Sequence, residues 1–285
     1  MKKGTFAGAA ALALLLAMPT TASATSFAVW LDGNTTPGGG GNGIPSSLAN
    51  AFGAASVTLI SSAQLATPGF LSAFDAVVVS RFGSAFGSDM GAVAAANVLA
   101  YVGAANTPTQ GAVAVFTNDA ADNFFGATSG DPFDANLDRL FVNAATFAAA
   151  SHHGYIGEFN GAVSAMSANS AGFAPIGLLT GVAGATHSVS TPDGHFHYLV
   201  GPIGAGNPID AGVTFPFTDA DLSLFRTDVT GALAGNIVDI YGDNQGPAVL
   251  ANAAAIGQPS VPEPASLLLM GTGVVGFIAR RRKRS

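Results

Sequence analysis

Short apolar runs alternate with Ala-rich periodic stretches from residue 27 to about residue 150. Residues 27–31 (FAVWL), 56–60 (SVTLI), 76–80 (AVVVS) and 112–116 (AVAVF) are apolar with little polar alternation, the pattern of strands covered on both faces. Helical spacing fills the gaps between them. Ser46 stands as an N-cap candidate before a helix over 47–52. Residues 89–102 carry Val93, Ala96, Val98, Leu99 and Val102 on one broad face. Asp134 caps the most regular helix, 134–150, along which Leu137, Leu140, Phe141, Ala144, Ala145 and Ala148 line one side. Helices set between non-alternating strands predict an open, doubly wound α/β layer built on a mostly parallel sheet. After Asn169 the texture changes. Residues 195–200 and 237–241 form short strands near Pro-Asp-Gly and Asp-Asn-Gln-Gly turns, and 237–241 with 248–251 reads as a closing hairpin.

The two ends have a different grammar. Lys2 and Lys3 precede an apolar stretch over 6–18, and Ala22-Ser23-Ala24 supplies small residues at −3 and −1. This predicts a secretory signal over 1–24, cut by signal peptidase after Ala24. At the other end, residues 265–279 (ASLLLMGTGVVGFIA) are uncharged. As a helix they reach about 22 Å, short of a hydrocarbon core of about 30 Å. Arg280, Arg281, Arg282, Lys283 and Arg284 follow at once, which holds that end on the cytoplasmic side and, by snorkelling, stretches the reach of the segment. Pro262 and Pro264 stop the helix from running upstream, so Val261-Pro262-Glu263-Pro264 is expected to lie extended at the outer interface of the inner membrane. The expected organisation is a signal (1–24), a single α/β body (25–256), a linker (257–264), a short transmembrane helix (265–279) and a basic tail (280–285).

Trimming the ends changes the charge. Between residues 25 and 260 only Arg81, Arg139 and Arg226 oppose sixteen carboxylates, a net of −13, where the whole chain carries −7. Nucleic acid is excluded as a partner, because its affinity comes from Lys and Arg neutralising phosphates. Cysteine is absent, so the delivered body has no disulfide and depends on its core. Its acidic surface suits weak attraction of divalent cations; no cofactor is expected.

Candidate chemistry is sparse. The loop over 34–43 (NTTPGGGGNG) lacks the Lys of a phosphate-binding loop and is expected to be a surface loop. Asp119, Asp122, Asp131, Asp134 and Asp138 form an acidic run without the spacing of a known calcium loop. His195 and His197 are alternate strand residues with His187 and Asp193 nearby, two ligands in search of a third. Ser80, His153 and Glu158 hold the residue types of a hydrolytic triad, but no G-x-S-x-G elbow presents the serine. If the body binds a ligand, a doubly wound sheet puts the crevice at the carboxyl ends of its strands. Asp32, Ser80, Arg81, Asn118, Asp119 and His153 are the candidates for it.

Val261-Pro262-Glu263-Pro264-Ala265-Ser266, the short apolar segment and the basic run at 280–284 together resemble the PEP-CTERM sorting signal. The resemblance implies an exported protein, recognised by an exosortase and processed near Pro-Glu-Pro. It also implies a cell-surface or extracellular destination and an association with exopolysaccharide or biofilm matrix. The body resembles, in element order, the flavodoxin-like domains of the class I glutamine amidotransferase-like group. There a nucleophilic Cys follows a strand such as 113–116. Here Thr117-Asn118-Asp119 stands in that place, so the resemblance implies loss of acyl-transfer chemistry. A non-enzymatic body is expected, with a secreted hydrolase or ligand-binding domain on this scaffold as the alternative.

Overall fold

The computed structural model describes residues 25–31, 43–80, 91–118, 120–127, 132–158, 178–182, 184–189, 194–204, 206–220, 225–242 and 246–253. Strands β1 (Phe27–Leu31), β2 (Val57–Leu59), β3 (Ala76–Ser80), β4 (Val113–Phe116) and β5 (Gly154–Glu158) run parallel. The sheet does not stop there. Strand β11 (Pro247–Ala251) adds antiparallel to β4, then β10 (Ile237–Tyr241), β7 (His197–Val200) and β8 (Phe217–Thr218) follow. The order across the nine strands is β2-β1-β3-β5-β4-β11-β10-β7-β8. The expected C-terminal hairpins therefore extend the parallel layer and leave it mixed, with parallel and antiparallel pairings equal in number. A separate two-stranded sheet pairs β6 (Gly184–Val189) with β9 (Phe225–Thr230).

Helices α1 (Gly43–Phe52) and α4 (Ala135–Ala149) cover one face of the parallel half. There Ile44, Leu48, Leu140 and Phe141 meet Phe27, Val29, Val78, Phe116 and Ile156. The short helix α2 (Ser62–Leu65) and helix α3 (Ala92–Val102) cover the other face, where Leu65, Val98 and Val102 meet Trp30, Val77, Val79 and Tyr155. Every residue of β1, β3 and β4 is buried, which is why these strands carry no alternation.

Two helices depart from the expected pattern. Helix α1 begins at Gly43, so Ser46 lies inside it and Pro45 occupies the first turn, where its missing N–H costs no intrahelical bond. Helix α3 turns Ala94, Ala95, Val98 and Val102 inward and leaves Val93 61% exposed. Ala96, also expected inside, is exposed as well; in an almost wholly apolar segment the pattern does not single out one face. Helix α4 follows its pattern, and the expected six positions are all buried. Asp134 Oδ1 accepts the N–H groups of Asn136 (2.8 Å) and Leu137 (3.0 Å), the work of an N-cap. Asp134→Ala is expected to cost about 1 kcal/mol, read as a lower urea midpoint with unchanged slope.

Candidate functional site

The carboxyl ends of the parallel strands are where a doubly wound sheet places its chemistry. Ser80 closes β3 and Asn118 lies two residues beyond β4, so both stand at that end. Strand β5 separates them, a gap of two strand spacings or about 10 Å. Both are fully buried, and Ser80 Oγ and Asn118 Oδ1 have no hydrogen-bond partner among the described residues. Asp32, Arg81 and Asp119 lie outside the described residues.

His153 does not join them. It precedes β5, at the amino end of the sheet, where its Nε2 lies 2.8 Å from Thr109 O. Glu158 pairs with Ser80 at the other end of the same strand, five residues and about 16 Å away. A Ser80–His153–Glu158 triad is therefore impossible on this sheet. His195 and His197 also part company. Strand β7 begins only at His197, whose Nδ1 lies 2.8 Å from Thr218 Oγ1, and His195 Nδ1 lies 3.2 Å from Asp219 Oδ1. Of the acidic run, Asp119 and Asp131 lie outside the described residues, and two members serve local structure. Asp134 caps α4, and Asp138 accepts the Ser47 hydroxyl and the Phe125 N–H (3.0 Å).

The chemistry that converges at the end of β4 is of another kind. Thr117 Oγ1 lies 2.8 Å from both Pro247 O and Tyr241 Oη. A carbonyl can only accept, so the threonine proton goes to Pro247 and the tyrosine donates. Asn118 Nδ2 donates to Tyr198 Oη at 2.7 Å. Strand β9 closes over this pair: Thr227 N–H donates to Thr117 O, and Asn118 bridges to Arg226. The Arg226 guanidinium lies 5.5 Å from the centroid of the Tyr241 ring while its Nε donates to Asp228 at 2.7 Å. Burial pushes both phenols above their ordinary value, so Tyr198 and Tyr241 stay neutral at any physiological pH. The cluster is a polar plug that fastens β10 and β11 of the antiparallel half, and β9 of the small sheet, onto the end of β4. Sequence reading found Asn118 but not Tyr198, Tyr241, Thr117 or Arg226. The available signal was the presence of polar-tipped aromatics within otherwise apolar strands.

No curated protein and no solved structure gives a significant match to the chain. The tail does match. Residues 260–283 carry a PEP-CTERM protein-sorting motif. The match spans Val261-Pro262-Glu263-Pro264, the apolar segment and Arg280, Arg281, Arg282 and Lys283, and Arg284 follows it directly. A PEP-CTERM motif marks its carrier for exosortase-dependent export to the cell surface. These residues lie outside the described ones. Among the described residues no helix is long and apolar enough to cross a membrane.

Proposed function

We propose that this protein is an exosortase substrate whose α/β body acts at the cell surface as a non-enzymatic component associated with exopolysaccharide. Signal peptidase removes residues 1–24, the short segment over 265–279 pauses in the inner membrane, and processing near Pro262-Glu263-Pro264 releases the body. The PEP-CTERM motif carries the sorting part of this reading. Cleavage after Ala24 would leave a body tied to its sheet from the second residue on. Ser26 N–H and Oγ donate to Asp75 at 2.8 and 3.0 Å, one residue before β1.

The polar plug supports the absence of catalysis. On a flavodoxin-like, amidotransferase-like scaffold the nucleophile follows β4, and here Thr117 and Asn118 hold that place as fastening groups. The second reading, a ligand-binding or hydrolytic domain, draws on Ser80 and Asn118 sharing the carboxyl end of the sheet. His153, the histidine of the expected triad, stands at the opposite end of β5. Mass spectrometry of surface-released protein tests the sorting scheme. A species beginning at Thr25 and ending near Pro264 is expected, and surface protein retaining Arg284 would overturn it. For the matrix association, the released body is expected to fractionate with the polysaccharide and to be freed when the polysaccharide is digested. A body that stays with washed cells after digestion refutes that part alone.

A further inference from the structure

The loop after β7 doubles back over the start of β10. Gly201 N–H donates to Val238 O at 2.7 Å and Ile203 N–H to Ile237 O at 3.1 Å. A tight turn follows, in which Asn207 Oδ1 accepts the N–H groups of Ile209 (2.8 Å) and Asp210 (3.1 Å). Asp210 on this turn is only 4% exposed, Asp239 on β10 is fully buried, and the two are near enough for the charge of Asp210 to act on Asp239. Strand β10 is irregular at this residue. Its register against β11 shifts on both sides of Asp239, the type of bulge that re-aims a side chain.

The hydrogen-bond accounting at this pair does not close. Asp210 Oδ2 accepts from Asn207 Nδ2 at 2.6 Å. Asp210 Oδ1 and both carboxyl oxygens of Asp239 have no partner among the described residues. Among the described residues no ion pair joins a cationic side chain to either carboxylate. Arg226 is engaged with Asp228. The exposed Arg139 reaches toward Gly212, and no described ion pair joins it to either carboxylate. Two ionised carboxylates in this setting lose hydration and repel each other, and protonated ones still lack partners. Burial pushes Asp210 up to about 6; burial, and then the neighbouring Asp210 charge, push Asp239 well above the usual carboxylate range. Buried oxygens left idle in this way are the mark of a missing ion or water.

We propose that Asp210 and Asp239 hold a hard divalent cation, calcium by its chemistry, beneath the loop that joins β7 to the turn at Asn207. Oxygen is the only donor type here, and calcium tolerates the irregular geometry that magnesium refuses. No third His, Asp or Glu joins the pair among the described residues, so carbonyl oxygens and water complete the shell. A site with two carboxylates belongs to the weak class, with a Kd of roughly 10⁻⁴–10⁻³ M, found in extracellular modules. That is where this protein is sent. Bound cation would lock the antiparallel half of the sheet to the loop that crosses it.

The full chain in detergent, with calcium chloride as the probe, tests the site. At pH 7.5, about 10 mM calcium is expected to raise the melting temperature about 3 to 5 °C above that in chelator. Asp239→Asn and Asp210→Asn are each expected to lose that rise. In chelator, Asp239→Asn is expected to melt at or above wild type, because it removes a carboxyl whose ionisation the fold opposes. Wild type in chelator is expected to lose stability as pH rises from about 4 through about 6 and beyond, since both folded carboxyls hold their protons more tightly than the unfolded chain does. Calcium cancels that loss. Should Asp239→Asn not fold, Asp210→Asn carries the same test, and equilibrium dialysis of wild type is expected to give one calcium per chain. No bound calcium in wild type, or an undiminished rise in the folded variants, overturns the proposal.

Discussion

Replacing Pro262, Glu263 and Pro264 together with alanine is expected to abolish surface release and leave the protein in the inner membrane with its tail attached. The reason is partly recognition and partly length. In the native chain the apolar segment is fifteen residues, 265–279, and the prolines prevent upstream extension. With alanines at 262–264 and Val261 before them, the helix can grow to about nineteen residues, about 28 Å, close to a full hydrocarbon thickness. On the proposed sorting scheme, a marginal membrane stop becomes an ordinary anchor. Fractionation and intact-mass measurement read the result directly. Surface protein lacking residues 280–285 from this variant would sink the assignment of processing to the Pro-Glu-Pro element. Glu263→Gln keeps both prolines and the short segment, so its release separates the carboxylate's contribution from the extended backbone. Release at the native level would assign recognition to backbone shape.

Residues that answer to local rules were legible. The strands 27–31 and 76–80 and the cap at Asp134 appear at their expected positions, because burial on both faces and an unpaired helix end each leave a mark on neighbouring residues. Distant pairings left none. Nothing near residue 247 says that β11 docks on β4, and nothing near Arg226 announces a bridge to Asn118. The candidate site suffered most from this. Residue types suggested that His153 could serve Ser80, yet a five-residue strand puts them at opposite ends. Of the carboxylates picked out by clustering in sequence, Asp134 caps a helix and Asp138 ties the Ser47 hydroxyl and the Phe125 N–H. Asp210 and Asp239 are twenty-nine positions apart in the chain, and only the turn at Asn207 and the irregularity in β10 bring them together.

Gly154→Ala is expected to be severely damaging, costing more than about 3 kcal/mol of a typical total of about 5–15 kcal/mol. Gly154 opens β5, the strand between β3 and β4, and pairs with Ala76. A Cβ there would lie 2.2 Å from Ala148 O, 2.5 Å from its carbonyl carbon and 2.7 Å from its Cα. All three are backbone atoms of the last turn of α4, whose Leu140, Phe141 and Ala144 are locked into the core, so nothing can yield without moving the helix off the sheet. Gly157→Ala meets an obstacle of another kind. Its Cβ would lie 2.2 Å from the Tyr155 hydroxyl oxygen, the far end of a side chain, so the ring can shift at a smaller though substantial cost. Gly235 has nothing within 4 Å of the same probe and needs no left-handed backbone, so Gly235→Ala is expected to stay within about 0.5 kcal/mol of wild type. Trp30 is the sole tryptophan and is fully buried in β1, which makes its fluorescence in urea a direct report on the parallel half. A Gly154→Ala midpoint equal to that of Gly235→Ala would mean that α4 is free to move, and the close seating of that helix on β5 would have to be abandoned.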